Sequence, residues 1–163
     1  MAQETGQLQI PPRGTRGRRW TEVLFKLLGP LSGGMISRYR RNAKAEPPQM
    51  NGIPLVLLTT TGAKTGKERS SLLGGVQDGD AWLVVASKGG SAEHPGWFVN
   101  LCKNPDKVWL EVGSRKLHVR PQQLAGDDYE KAYARVVAAS PQYGGYRKVT
   151  DRHIPVVRLT PIA

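Results

Sequence analysis

The sequence predicts a mainly β (α+β) fold, a small antiparallel barrel of about six strands with flanking helices. Three observations predict it. From Pro54 onward, short β-branched and aromatic runs recur at 54–60, 68–78, 81–87, 107–113, 115–121 and 154–159. Turn signals separate them, with Asp78-Gly79-Asp80 and Gly113-Ser114 placed as hairpin turns. Helical patterns interrupt the strand-rich part at about 95–103 and 127–139 only, which argues for a meander rather than a doubly wound sheet.

A chain of 163 residues has room for one domain with a real core. Its 39% hydrophobic and 23% charged content is that of an ordered globular protein. The formal charge of +11 points to an anionic partner: nucleic acid, an anionic membrane or a polyanionic ligand. The excess is spread along the chain, with nine Lys/Arg against three acids in residues 1–49 and fifteen against ten in the rest.

Taken in order, residues 1–19 read as a disordered basic tail, rich in Gly and Arg and holding Pro11-Pro12. Residues 20–46 form an N-terminal amphipathic helical segment. Trp20, Val23, Leu24, Leu27, Leu28 and Leu31 fall at helical spacing, Gly29-Pro30 breaks the run, and Met35, Ile36 and Tyr39 continue it beside Arg38, Arg40 and Arg41. The preferred reading is a helix packed on its own domain; the alternative is a basic amphipathic helix on an anionic membrane surface. Residues 42–52 read as a linker, and residues 50–163 as the barrel domain. The helix near 127–139 opens on Asp127, with Glu130 three residues on as in a capping box. No run of apolar residues is long enough to span a membrane, and the N-terminus lacks a signal-peptide layout, so a cytoplasmic location is expected. Cys102, the one cysteine, fits a reducing compartment and reads as a small buried side chain.

The chemistry concentrates at two loops. In Leu57-Leu58-Thr59-Thr60-Thr61-Gly62-Ala63-Lys64-Thr65-Gly66-Lys67-Glu68-Arg69, a β-branched run enters a turn with two glycines and several cations. Glycines let successive N–H groups converge on an anion, and Arg69 can fork two donors onto a phosphate. The ordinary alternative is a hairpin with a solvated basic loop. The spacing is not that of a phosphate-binding P-loop. Ala86-Ser87-Lys88-Gly89-Gly90-Ser91, after the strand at 81–85, is a second such loop. His94, His118 and His153 are scattered, no carboxylate pair or nucleophile elbow is present, and no metal site is expected. Ser140 to Lys148, with Tyr143 and Tyr146 around two glycines, reads as a loop or as a lid over an aromatic substrate.

These pieces together resemble the deazaflavin-dependent nitroreductase family. The resemblance runs through Leu57–Gly66, Arg69, Ala86-Ser87-Lys88-Gly89-Gly90, Pro95-Gly96-Trp97-Phe98-Val99-Asn100-Leu101, Asn104-Pro105, Tyr143-Gly144-Gly145-Tyr146 and Thr150 to Pro155, about residues 35–160 in all. It implies a split β-barrel and hydride transfer from reduced coenzyme F420 to a quinone, nitroaromatic or enone acceptor. The coenzyme has a flat deazaflavin head, a phosphate and an oligoglutamate tail. That polyanion accounts for the charge without nucleic acid.

The resemblance also implies a site. Ala63, Lys64, Thr65 and Arg69 would hold the phosphate side. Ser70, Ser71, Leu72, Leu73 and Gly74 would line the ring. Val85, Ala86, Ser87 and Lys88 would follow the coenzyme from the third strand. Gly96, Trp97, Phe98, Val99 and Asn100 would close the site. Ser87, Tyr143 and Tyr146 are the candidate catalytic residues facing the acceptor, with Tyr143 also touching the coenzyme. Leu72 and Gly74 stand where family members often carry proline and a large aromatic, and Ser140 and Val149 replace aromatic residues of a nitroimidazole-reducing member. A smaller, less aromatic lid is therefore expected. The competing readings are a non-enzymatic nucleic-acid or membrane-surface module, and a split barrel using FMN. A monomer or homodimer in the cytoplasm, in peripheral contact with the inner face of the membrane, completes the expectation.

Overall fold

The structure, a computed structural model, describes residues 5–28 and 32–162. Two helices, α1 (Arg19–Leu28) and α2 (Ser32–Arg41), precede the strands β1 (Gln49–Met50), β2 (Ile53–Thr61), β3 (Glu68–Gly74), β4 (Val76–Asp78) and β5 (Ala81–Val85). Then come α3 (Gly96–Lys103), β6 (Trp109–Val112), β7 (Arg115–Gln123), α4 (Gly126–Ala139), α5 (Gln142–Val149) and β8 (Val156–Pro161). The expected break at Gly29-Pro30 lies outside the described residues, as do Leu31, the Leu28 side chain and residues 1–4 of the tail.

The sheet runs in the order β1-β2-β6-β7-β8-β5-β4, with β3 on the other side of β2, and every pair is antiparallel. The strand expected at 68–78 is two strands. Residues 68–74 pair with β2, and residues 76–78 leave it for β5. The bend falls at Gly75, where a Cβ would meet Val56 Cγ2 at 3.1 Å and Trp82 at 3.2 Å. Its N–H donates to Pro54 O at 2.9 Å, so the backbone turns without losing its bond. One continuous stretch of chain thus joins the two ends of the sheet and closes the barrel. β7 does the same on the far side, pairing first with β6 and then with β8. This is a split β-barrel with flanking helices, as the resemblance implied.

Two cores follow from the alternation of β2, β5 and β8. Val56, Leu58, Trp82, Val84, Val157 and Leu159 point into the barrel, where Trp97, Phe98 and Leu101 of α3 join them. Leu83, Val85 and Val156 point the other way and are covered by Tyr129, Ala132, Tyr133 and Val136 of α4. α2 is held by Tyr39, whose hydroxyl lies 3.0 Å from Leu55 O and 3.2 Å from Glu111 O and accepts the Gly113 N–H at 3.0 Å. Cys102 packs against the inner core, and burial pushes its thiol up to about 11, so it is not a reactive thiolate at neutral pH.

Four expectations are corrected. Residues 5–18 are not a loose tail: Gly6 N–H donates to Gln123 O, Gly14 N–H to Ala92 O and Arg18 N–H to Gly90 O, at 2.8, 2.9 and 3.0 Å. These bonds are all long-range, so local composition does not announce them. The supposed linker carries β1, and Ser114 N–H donates to Lys44 O at 2.8 Å. The capping box does not form, because α4 begins one residue earlier than Asp127 and Glu130 reaches Arg147 instead. Gln142–Val149 is a helix despite Gly144-Gly145; Tyr133 of α4 donates its hydroxyl to Tyr143 O at 2.7 Å, and tertiary packing overrides propensity.

Candidate functional site

A cleft of about 680 Å³ opens between the edge of β3, the end of β5 and the helices α3 and α5. β3 has one strand partner, so its other edge faces the cleft with its backbone available. Arg69, Ser70, Ser71, Leu72, Leu73 and Gly74 all line it. The opposite wall comes from Val85, Ser87 and Lys88, and the ends from Gly96, Trp97 and Asn100 of α3 and from Tyr143 and Tyr146 of α5. Met50 and Asn51, absent from the sequence-based set, also line it.

The remaining predicted residues lie behind this lining. Ala86 and Phe98 are fully buried in the inner core, and Val99 is half-buried on α3. Ala63, Lys64 and Thr65 form the exposed β2–β3 turn beyond the cleft. Asn100 ties that turn to it: its Oδ1 accepts the Ala63 N–H at 3.0 Å while its other face lines the cavity. Lys64, Lys67 and Arg69 make no ion pair among the described residues. Lys88 is different. Its ammonium lies 3.1 Å from Glu93, which also meets Arg13 at 3.2 Å, so its charge is already engaged.

Three hydroxyls in the cleft, those of Ser87, Tyr143 and Tyr146, have no hydrogen-bond partner among the described residues. The two tyrosine rings meet edge to face at 5.3 Å. Burial pushes the Tyr143 phenol up to about 12 and raises that of Tyr146, with the neighbouring phenol adding to the effect on Tyr143. Both therefore stay protonated donors through neutral pH. Gly74 explains how Tyr143 comes so close to β3: a Cβ there would lie 2.3 Å from Ile53 Cδ1 and 3.1 Å from the Tyr143 hydroxyl.

The Ser87 loop is strained and then locked. Lys88, Gly89 and Gly90 all have positive φ, at 44°, 62° and 86°, which a lysine adopts only when its surroundings impose it. The imposing group is Arg152, which sequence reasoning left without a role. Its guanidinium is buried and donates to Ser91 O at 2.7 Å, Ser87 O at 2.8 Å and Ala86 O at 3.0 Å. Among the described residues no carboxylate pairs with it; desolvation pulls its pKa down to about 10. Nη1 lies 3.3 Å from His94 Nδ1, while His94 Nε2 lies 2.8 Å from Pro11 O. A neutral imidazole with its proton on Nε2 satisfies both neighbours.

From outside, the N-terminal segment braces the same loop. The Asp151 carboxylate accepts the N–H groups of Thr15 and Arg16, both at 2.9 Å, and the Thr15 hydroxyl. Gly17 then passes so near the loop that a Cβ would sit 2.3 Å from Ala92 N. Arg18 lies over the Tyr146 ring at 5.9 Å, and Ser91 donates to Glu22 at 2.9 Å. These bonds hold α1 against the loop by Thr21 while Trp20, Val23, Leu24 and Leu27 point to solvent, which corrects the expectation that this stripe packs on the core.

Fold and cleft define a split barrel with an elongated cleft, apolar along its walls and cationic at one rim. Besides Arg69 and Lys88 the lining is uncharged and includes Trp97, Tyr143 and Tyr146, and unpaired cations stand at and beyond one rim, which fits a deazaflavin bearing a phosphate and carboxylates. The chain belongs to the F420H(2)-dependent quinone reductase family, whose model matches residues 34–161. An F420H(2)-dependent quinone reductase of Mycobacterium tuberculosis is 44% identical over 150 residues, spanning 87% of this chain and 96% of its own length. Among solved structures, an F420-H2 dependent reductase, FDR-A, superposes with a TM-score of 0.60 at 40% identity, covering 65% of this chain and 93% of its own. A second, described as a domain-swapped dimer, gives 0.63 at 32% identity and covers 79% and 96%.

Two predictions follow from this packing. Arg152→Lys leaves carbonyls of the loop unpaired, so it should cost about 1–3 kcal/mol of stability. It should also weaken coenzyme binding, read by thermal melting and by titration of tryptophan fluorescence. The second concerns pH. Burial, and then the Arg152 charge, lower the pKa of His94; burial likewise lowers that of His153. The unfolded chain therefore binds protons first as pH falls through about 6.5, and stability contributed above that pH is lost below it. The melting temperature should fall between pH 7 and 5, and His94→Gln, which can keep both hydrogen bonds, should flatten that fall.

Proposed function

We propose that the cleft holds the deazaflavin of reduced F420 along the edge of β3, with the quinone lying over it beneath Ser87, Tyr143 and Tyr146. The chain is an F420H2-dependent oxidoreductase of the quinone reductase family, and the residue roles that follow are our assignment. The observation that carries them is the group of three unpartnered hydroxyls beside an unpaired Arg69 in one cleft. When bound, the reduced coenzyme supplies a hydride, and the organic chemistry is the coenzyme's own.

The protein contributes binding, orientation and a polar contact. Arg69 forks onto the phosphate at the rim, and Lys64, with the glycine turn around Thr65, meets the more distant negative charge. Trp97 packs at one end of the cavity and helps exclude water. Ser87 and Tyr143 donate to the quinone oxygen on which negative charge develops, with the strained loop holding Ser87 in place. Their protonation does not change near neutral pH, so the proton completing the reduction is drawn from solvent. Lys88, engaged with Glu93, orients its loop. Flat nitroaromatics and enones are proposed as further acceptors over the same surface.

A specific observation favours peripheral membrane contact as well. Trp20, Val23, Leu24 and Leu27 are 61%, 57%, 41% and 69% exposed on one short helix, next to Arg13, Arg16 and Arg19. An apolar stripe rimmed by cations suits an anionic lipid surface. Among the described residues no helix is long and apolar enough to cross a membrane.

Tyr143→Phe should lower kcat/KM for a quinone by about tenfold, near 1.4 kcal/mol, while leaving coenzyme affinity within about twofold. Arg69→Ala should do the reverse and weaken F420 binding roughly ten- to a hundredfold. Steady-state kinetics and fluorescence titration separate the two, and unchanged turnover in the triple variant Ser87→Ala, Tyr143→Phe, Tyr146→Phe removes the proposed polar contact. For the membrane contact, co-sedimentation should occur with vesicles containing anionic lipid, decline with salt, and be lost in Leu27→Glu.

A further inference from the structure

We propose that a second groove, under α2, takes the hydrocarbon tail of a lipid quinone whose head lies in the cleft; this rests on the reading of the cleft given above. The groove has a volume of about 590 Å³ and is walled by Met35, Tyr39, Pro48, Leu55 and Leu72.

Register explains why the apolar surface is there. Leu72 pairs with Leu57, so both lie on the outer face of the β2–β3 pair, and Leu55, two residues along, lies on that face too. The intervening residues, Val56 and its partner Leu73, turn inward to the barrel core. The outer face would meet water if α2 did not lie across it. α2 covers it incompletely, and the space left between helix and strands is the groove.

Two features select an alkyl chain as the occupant. Leu72 lines both the groove and the cleft, so the two cavities meet at that side chain on the edge of β3. A quinone head lying over the deazaflavin sends its substituent across the edge of β3 at Leu72, to the groove mouth. The polar end of Tyr39 is also already consumed by Leu55 O, Glu111 O and the Gly113 N–H, so its ring offers the groove hydrocarbon contact. Arg38, Lys44 and Glu46 are the charged residues among its walls, and Met35, 60% exposed, marks where a long tail would pass out to solvent or lipid. Burial of methylenes tightens binding several-fold for each carbon removed from water.

The test compares quinones sharing one head and carrying no prenyl unit, one, or two, with F420H2 as donor and no detergent. The KM should fall at least about tenfold from the tailless compound to the one with two units, with kcat little changed. Met35→Glu, at an exposed position of α2, should return the KM of the tailed quinones to the tailless value and leave tailless turnover unchanged. Met35→Leu should keep the tail dependence. A KM indifferent to tail length, with turnover intact, overturns this proposal alone, as does a tail dependence that survives Met35→Glu. Failure of the native protein to reduce even the tailless quinone overturns the cleft reading and this proposal with it.

Discussion

The Arg152 guanidinium sits buried among carbonyl oxygens, and the rest of the site depends on what it gathers. A buried cation without a carboxylate is costly unless its donors are used, and here they reach Ala86, Ser87 and Ser91. Those three residues define the loop that leaves β5. Because the loop is pinned from behind, Lys88 is kept in a left-handed conformation that it would otherwise abandon, and the Ser87 side chain stays in the cleft. The rigidity comes from an element some sixty residues downstream, so the cleft wall and the C-terminal segment are one mechanical unit. The N-terminal segment completes that unit, being fastened to Asp151, the residue next to Arg152.

Charge in this protein separates into two populations. Arg152, Lys88 and Arg147 are engaged structurally, the last with Glu130 and over the rings of Tyr129 and Tyr133. Lys64, Lys67 and Arg69 have no acidic partners among the described residues and lie at one end of the barrel. The net charge of +11 therefore says less about ligand binding than the placement of a few unpaired cations does. The same division explains why a nucleic-acid reading, natural for the composition, is not needed by the geometry.

Much of the barrel was legible because its signals are local. Alternation and turn residues placed most strands within a few positions, and the helices at 96–103 and 126–139 stood close to their expected limits. What escaped was tertiary in origin. Gly75 reads like any strand glycine until Val56 and Trp82 are seen beside it. α5 carries two glycines and becomes helical because α4 and the Ser87 loop pack against it. α1 was legible as a helix, but its periodicity does not say whether the apolar face meets protein or solvent. In the site, family resemblance named residues that the cleft does bring together along β3, β5, α3 and α5, yet it also carried Ala86 and Phe98, which serve as core. Arg152 stood inside a recognised motif without a function, since its partners are main-chain oxygens that no sequence pattern marks.

The position of β8 between β5 and β7 has a kinetic consequence. Trp82 pairs with Leu159 and Val85 with Val156, so the central strand of one half of the barrel waits for β8, which follows it only after α3, β6, β7, α4 and α5. During synthesis, β5 leaves the ribosome with an apolar, unpaired edge and keeps it until β8 has been made. Closure over such sequence separations is slow, and a ribosome stalled before residue 156 would release a chain prone to associate through that edge.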